Sequence, residues 1–418
     1  MARGILSPEN YRARLKETFY YLVEGIVFIV IACGGLNIYT SFLLNREINS
    51  IRQNGQPITI AATHPPSIPK SQNAAPLYQR AVAVMKFKPS IDCNDLSDKE
   101  INAILGDNVQ TLNLVRQATD KPQCRFTLIR DENKLLVPSV KLKKLRDLAR
   151  LLALQSRSET QAGNKTAALQ DVRRQFIMAR HVANEPLLLC GLMARSIDNT
   201  ANRTLAKVLL HVSLTRSEAH AFEASLPQID WAPYLHRILL AERAMEIENT
   251  QLSRNQLESG RFVMNQIYKM SEAYSLRLWK DIIQNEENAP IPVPADYTKQ
   301  LDQRIDQAPW YAISAMTLSI YPRVRRNYDY AEIQNREREI ALTLTVYHSQ
   351  YHRYPVTLEP AEKLWKSTFP LDIYSKKPFR YKSDGNTFLL YSVGMNGEDD
   401  GGKWKPSSTL KNDIVWGH

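Results

Sequence analysis

Cysteine is scarce, with four residues in 418, and no two of them stand in a Cys-x-x-Cys or Cys/His spacing. Zinc and dithiol redox motifs are therefore missing. Glycine is also low, at 15, and it forms neither a Gly-rich phosphate loop nor a Gly-x-Ser-x-Gly elbow; a His-Glu-x-x-His helix is absent as well. The histidines are scattered. His181, His211, His220 and His236 fall in separate helical stretches without a local acid–base partner. His348 and His352, four apart, are the pair a helix would bring to one face, as metal ligands or, in the plainer alternative, as two solvent-facing imidazoles. Nothing marks a catalytic site.

Long apolar runs are also rare, and the one present lies near the N-terminus. Arg3, Arg12, Arg14 and Lys16 stand against Glu9 and Glu17 in residues 1–21, and an apolar run occupies residues 22–44. At ~1.5 Å per residue this run crosses a ~30 Å hydrocarbon layer. Glu24, Asn37, Thr40 and Ser41 dilute it, and a buried core helix is the alternative. The basic flank predicts a cytoplasmic N-terminus and an exported body, as in a protein of the bacterial inner (cytoplasmic) membrane with its body in the periplasm or outside. The run is too long for a cleavable signal peptide. Residues 45–73, with Gly55, Pro57, Pro65, Pro66 and Pro69, have a linker composition.

Residues 74–325 carry helical periodicity. Leu77, Val82 and Met85 form a stripe, Ser97 and Glu100 make a capping box before Ile101, and residues 126–129 are a candidate extended segment. Leu142, Leu145, Leu148 and Leu152 begin a run of helix pairs. The bend at residues 161–168, with Gly163 at the turn and Ala167 and Ala168 at the close approach, resembles a tetratricopeptide-type hairpin. Ser217 is a candidate cap and Pro227 a stop. Residues 231–286 read as one or two long helices, with Leu235, Ile238, Leu239, Met245 and Leu252 as core candidates, and Pro290, Pro292 and Pro294 interrupt the pattern. Residues 121–216 hold eighteen Lys or Arg against seven Asp or Glu, a net of +11, equal to the +11 of the whole chain. Such a face suits anionic lipid headgroups or acidic envelope polymers, with nucleic acid not expected for an exported body; a set of solvated helix faces is the alternative.

Cys33 lies in the apolar run and Cys190 among Leu187, Leu188, Leu189 and Leu192, as buried small hydrophobes. Cys93 and Cys124 sit in irregular polar segments. In an oxidising space they would form a disulfide, with two free thiols as the alternative.

The C-terminal region has the most specific order. Ile333, Ile340, Leu344, Tyr347 and Tyr351 form a helical stripe, Tyr354-Pro355 punctuates it, and Asp384-Gly385 joins two aromatic-rich runs as a hairpin. Tyr391-Ser392-Val393-Gly394, the loop Asn396-Gly397-Glu398-Asp399-Asp400-Gly401-Gly402 and Asp413-Ile414-Val415-Trp416 follow. This ordered set resembles the C-terminal globular domain of the major pseudopilin of type II secretion systems. The family's Phe-Thr-Leu-Ile-Glu helix does not precede Ala331, so the resemblance implies a borrowed module. It implies a small α+β unit over residues 326–418 and a calcium ion held by Ser392, Asn396, Asp399, Asp400 and Asp413. A solvated acidic turn, its carboxylates neutralised by Lys403, Lys405 and Lys411, is the alternative.

The expected architecture is mainly α: an N-terminal transmembrane helix, a tetratricopeptide-like helical hairpin body, and a small C-terminal pseudopilin-like α+β unit. The expected role is a membrane-anchored envelope scaffold or docking protein with an envelope protein partner, beside a type II secretion or pilus-like apparatus. The rival is an exported hydrolase with a site between helix pairs, using Glu242, Glu246 or Glu248.

Overall fold

A computed structural model describes residues 8–64, 66–88, 95–130, 136–257, 261–288, 292, 295–310, 312, 318, 320–365, 367–403 and 412–417, with side chains left out at 8–13, 287–288, 295–298 and 322–323. Helices dominate. The first part of the chain forms α1 (Pro8–Gln53), α2 (Ile60–Thr63), α3 (Ala75–Val84), α4 (Asp98–Asp107) and α5 (Val109–Thr119), then strands β1 (Leu128–Arg130) and β2 (Leu136–Pro138). The middle forms α6 (Leu142–Gln161), α7 (Lys165–Ala183), α8 (Leu188–Leu209), α9 (Arg216–Ser225), α10 (Trp231–Asn255), α11 (Phe262–Asn288) and α12 (Ala295–Asp306). The last part forms α13 (Tyr321–Tyr351), α14 (Glu359–Trp365) and strands β3 (Arg380–Ser383), β4 (Phe388–Ser392) and β5 (Ile414–Val415).

Two compact units divide these elements. The first takes residues 1–60, 243–282 and 304–319, so it holds α1, the second half of α10 and most of α11. Helix α1 is long and apolar enough to cross a membrane. Its side chains from Leu15 to Tyr39 are largely exposed, whereas Thr40, Leu44 and Ile51 are buried. The segment expected to be a linker therefore begins as helix, which persists to Gln53 and ends at Gly55 with φ of 67°. The reason is local: no proline interrupts residues 9–56, and Leu44 and Ile51 have core to enter.

The second unit takes residues 61–242, 283–303 and 320–418. Its helix ends follow local chemistry. The Ser97 hydroxyl accepts the Glu100 N–H, and the Glu100 carboxylate accepts the Ser97 N–H, a closed capping box. The cap of α9 is Thr215, not Ser217, because the box needs its acid three residues on, and Glu218 supplies it. Between α6 and α7, Gly163 adopts φ of 77°, the Asn164 N–H reaches Glu159 O at 2.8 Å and the Gly163 N–H reaches Thr160 O at 3.1 Å. That is a Schellman turn. It folds α7 back on α6, and Leu145, Leu148 and Leu152 are buried with Val172, Phe176, Ala201 and Leu205. The 126–129 segment contributes β1, which pairs antiparallel with β2.

The C-terminal sheet has strand order β3-β4-β5, both pairs antiparallel, with Tyr381 opposite Leu390 and Ser392 opposite Ile414. Gly385, with φ of 92°, makes the hairpin turn, and the Asp384 carboxylate accepts the Asn386 and Thr387 N–H groups. Ile333, Ile340 and Leu344 of α13 share one core with Leu390 and Ile414 of the sheet and with Phe176, Leu205 and Phe222 of α7 to α9. The expected boundary at 326 falls inside α13, and the sheet is built onto the helical body without a break in the core. Leu252, expected in the core, is exposed, and Met245 is half-buried.

Candidate functional site

The acidic loop is held in place by Gly394, whose φ is 67° and where a Cβ would lie 2.5 Å from Asn412 O. It brings Asn396, Asp399, Asp400 and Asp413 together. Asp413 is buried; its Oδ2 accepts the Gly402 N–H at 2.7 Å and its Oδ1 the Asp400 N–H at 3.3 Å. Burial, offset by those two N–H groups, leaves its pKa raised. Asp399 Oδ1 accepts the Tyr391 hydroxyl at 2.8 Å and the Gly401 N–H at 3.0 Å, and Arg380 Nε stands 3.2 Å from Oδ2. The Tyr391 hydrogen bond is the largest cause of its lowered pKa. Asn396 Nδ2 donates to Asp400 Oδ2 at 3.2 Å.

Ser392 is not part of that set. Its hydroxyl donates to Asp372 Oδ1 at 2.7 Å. Among the described residues the loop meets its own charge crowding with N–H donors, the Tyr391 hydroxyl and one arginine. Among the described residues, three His, Cys, Asp or Glu side chains nowhere converge as a metal site. Of the lysines expected to compete, Lys403 is exposed, while Lys405 and Lys411 lie outside the described residues. His348 stacks on Tyr354 at 4.5 Å between ring centroids. His352 is the left-handed C-cap of α13, with φ of 55°, and so leaves the helical face shared with His348. Cys124 is buried, and Cys93 lies outside the described residues.

The carboxylates considered for hydrolysis each accept an N–H: Glu242 from Leu188 N at 2.8 Å, Glu246 from the Trp279 indole at 2.7 Å and Glu248 from Ile60 N at 2.8 Å. Glu246 also adds to the environment of Glu272, which burial drives up to about 7, against the pull of Arg254 at 3.1 Å.

The residues that periodicity misses are buried polar ones. Asp372 accepts four hydrogen bonds, from Tyr374 N, the Ser375 hydroxyl, the Ser392 hydroxyl and Val393 N, at 2.7 to 3.3 Å. It ties the segment before β3 to the end of β4. Nearby, Glu337 of α13 is fully buried with no hydrogen-bond partner at either oxygen among the described residues, and desolvation, then the Asp372 charge, raises its pKa well above the ordinary value. One turn away, Arg195 donates to Asp198 at 3.0 Å, to Gln334 at 2.6 Å and to Asn327 O at 3.1 Å, and Arg338 donates to Asn202 at 3.3 Å. This network fills the α8–α13 interface. The available signal was Glu337-Arg338 standing between the buried Ile333 and Ile340.

The second unit also carries a groove of about 560 Å³ between α7 and α9, lined by Lys165, Leu169, Arg173, Arg174, Phe222 and Glu218 among others. Lys165 pairs with Glu218 at 2.7 Å, and Arg174 pairs with Asp171 at 2.7 Å. Arg173 gives Nε to Ser225 O at 3.0 Å, which consumes no carboxylate. The lining joins apolar Leu169, Leu214 and Phe222 to Lys165, Arg173 and Arg174, with Asp120 and Glu218 as its acidic members. No family model matches this chain, and neither a curated protein nor a solved structure matches it.

Proposed function

We propose that the chain is a single-pass, membrane-anchored scaffold of the bacterial envelope, with its body exported and its α7–α9 groove docking an acidic envelope partner. The tetratricopeptide-like hairpins supply the docking surface, and the pseudopilin-like C-terminal unit points to a secretion or pilus-type apparatus as the setting. One observation carries the anchoring. In α1, large apolar side chains such as Phe28 and Ile31 are 73% and 67% exposed, with nothing from the described chain to cover them. Each such side chain left in water forgoes ~1.5–3 kcal/mol of burial, and a bilayer is the cover that a single helix of this length fits.

The test is fractionation with alkaline extraction of the full chain beside a chain lacking residues 1–35. The full chain is expected in the extracted membrane pellet and the shortened one in the supernatant. Recovery of the full chain from the soluble fraction would overturn the reading. The cut is placed at 35 because Thr40, Leu44 and Ile51 are buried in the first unit and must be kept.

A further inference from the structure

We infer that α11 makes a second membrane contact: its first turn, around Val263 and Met264, lies in the interfacial layer of the same bilayer that α1 crosses. This rests on the anchoring proposed above. It comes from the register between α1 and α11 in the first unit. Lys269 Nζ donates to Asn37 Oδ1 at 2.7 Å and to Ser41 Oγ at 2.9 Å, and Thr40 Oγ1 donates to Gln266 Oε1 at 2.6 Å. Further along, Arg277 Nε donates to Glu47 Oε1 at 2.9 Å. Eight residues of α11, from 269 to 277, correspond to eight residues of α1, from the middle of the Asn37–Ser41 turn to Glu47. The two helices therefore run parallel with an offset of about 230 in residue number, since both rise by ~1.5 Å per residue.

Two consequences follow from that offset. Asn37, Thr40 and Ser41 are not in lipid, because an ammonium group hydrogen-bonded to Asn37 and Ser41 is costly in hydrocarbon. The hydrocarbon segment of α1 then shifts toward the N-terminus, to about residues 18–36, still about 28 Å long. The pairs give an offset of 226 at Gln266 and 230 at Arg277, and carried back it sets Phe262, Val263 and Met264 beside residues 32–38, at the end of the hydrocarbon segment. Cys33 is half-covered where its neighbours are exposed. Val263 is 65% and Met264 40% exposed, so the turn presents apolar side chains at the depth where the span leaves the hydrocarbon. Arg261 is exposed just before it, placed for headgroup phosphates.

The experiment uses the full chain reconstituted in phospholipid vesicles, with a photoreactive phenylalanine analogue in place of Phe28, Val263 or Lys280, and lipid adducts read by mass spectrometry. Lys280 is exposed on α11 well beyond the proposed contact. Adducts are expected at 28 and 263, with the yield at 263 at least about tenfold above that at 280, as an interfacial helix end requires. Adducts at 28 alone would overturn the α11 contact and leave the anchor standing. Absence of adducts at 28 would overturn the anchor and this inference with it, and equal yields at 263 and 280 would overturn the assigned depth. The same analogue at Met264 repeats the measurement one residue on.

Discussion

The Tyr78 hydroxyl donates to Nδ1 of His181 at 2.9 Å, and the opposite ring nitrogen, Nε2, donates to Lys121 O at 3.1 Å. The imidazole is thus satisfied as a neutral ring in the interior. Burial is the largest cause of a pKa lowered to about 4 from the usual 6.5. An unfolded chain takes up a proton below pH 6.5 that the folded chain refuses until about pH 4. Stability contributed here is full above pH 6.5 and is lost as pH falls toward 4, by on the order of 3 kcal/mol. Urea midpoints at pH 7 and pH 4.5 are expected to lie closer together in His181→Gln than in the parent chain.

Glu272 titrates in the opposite sense. Its folded pKa, about 7, stands above the ordinary 4.5, and the first cause is burial. The folded chain holds a proton that the unfolded chain has released, so stability is full below pH 4.5 and falls as pH rises through 7, again by on the order of 3 kcal/mol. Glu272→Gln is expected to be more stable than the parent chain at pH 8, by its thermal midpoint, and no more stable at pH 4.5. An equal shift at both pH values would mean that packing, not charge, sets the effect.

Asp372→Ala is expected to cost about 3 kcal/mol or more, because it strands two N–H and two O–H donors in a buried place. Guanidinium denaturation of the full chain measures the cost, and limited proteolysis should cut first between α13 and β3. An unchanged midpoint would show that water replaces the carboxylate at no cost.

Gly191→Ala tests a close approach. A Cβ there would lie 2.7 Å from Ile238 Cδ1 and closer still to the Tyr328 hydroxyl, so those two buried side chains or α8 itself would have to shift. Overpacking of this kind costs about 1–3 kcal/mol, readable as a lowered thermal midpoint. Gly106→Ala, with nothing within 4 Å of the added methyl, is the control expected to hold or gain stability.

Legibility in the sequence followed the range of the interactions. The Ser97 box, the Gly163 turn and the Asp384-Gly385 hairpin depend on residues within a few positions of one another, and each is readable from the residues alone. The true cap at Thr215 was equally local and could have been found from Glu218 three residues on. What stayed hidden depends on distant partners. Periodicity places charged residues on solvent faces, and α13 defeats that rule because it is enclosed on several sides, so Glu337 and Arg338 are buried beside Ile333 and Ile340. The carboxylates of the acidic loop were legible as a cluster, but their donors were not: the Gly401 and Gly402 N–H groups and the Tyr391 hydroxyl are brought there by the path of the chain, which composition does not record.

The unbroken course of α1 has a mechanical consequence in the proposed setting. With no hinge between its exposed apolar half and the turns that carry Leu44 and Ile51, any change in the lean of the inserted half is passed on as a rotation of the bundled half. A thinner lipid leaflet makes a fixed-length rod lean further. The α10–α11 pair would then report local bilayer thickness as an angle.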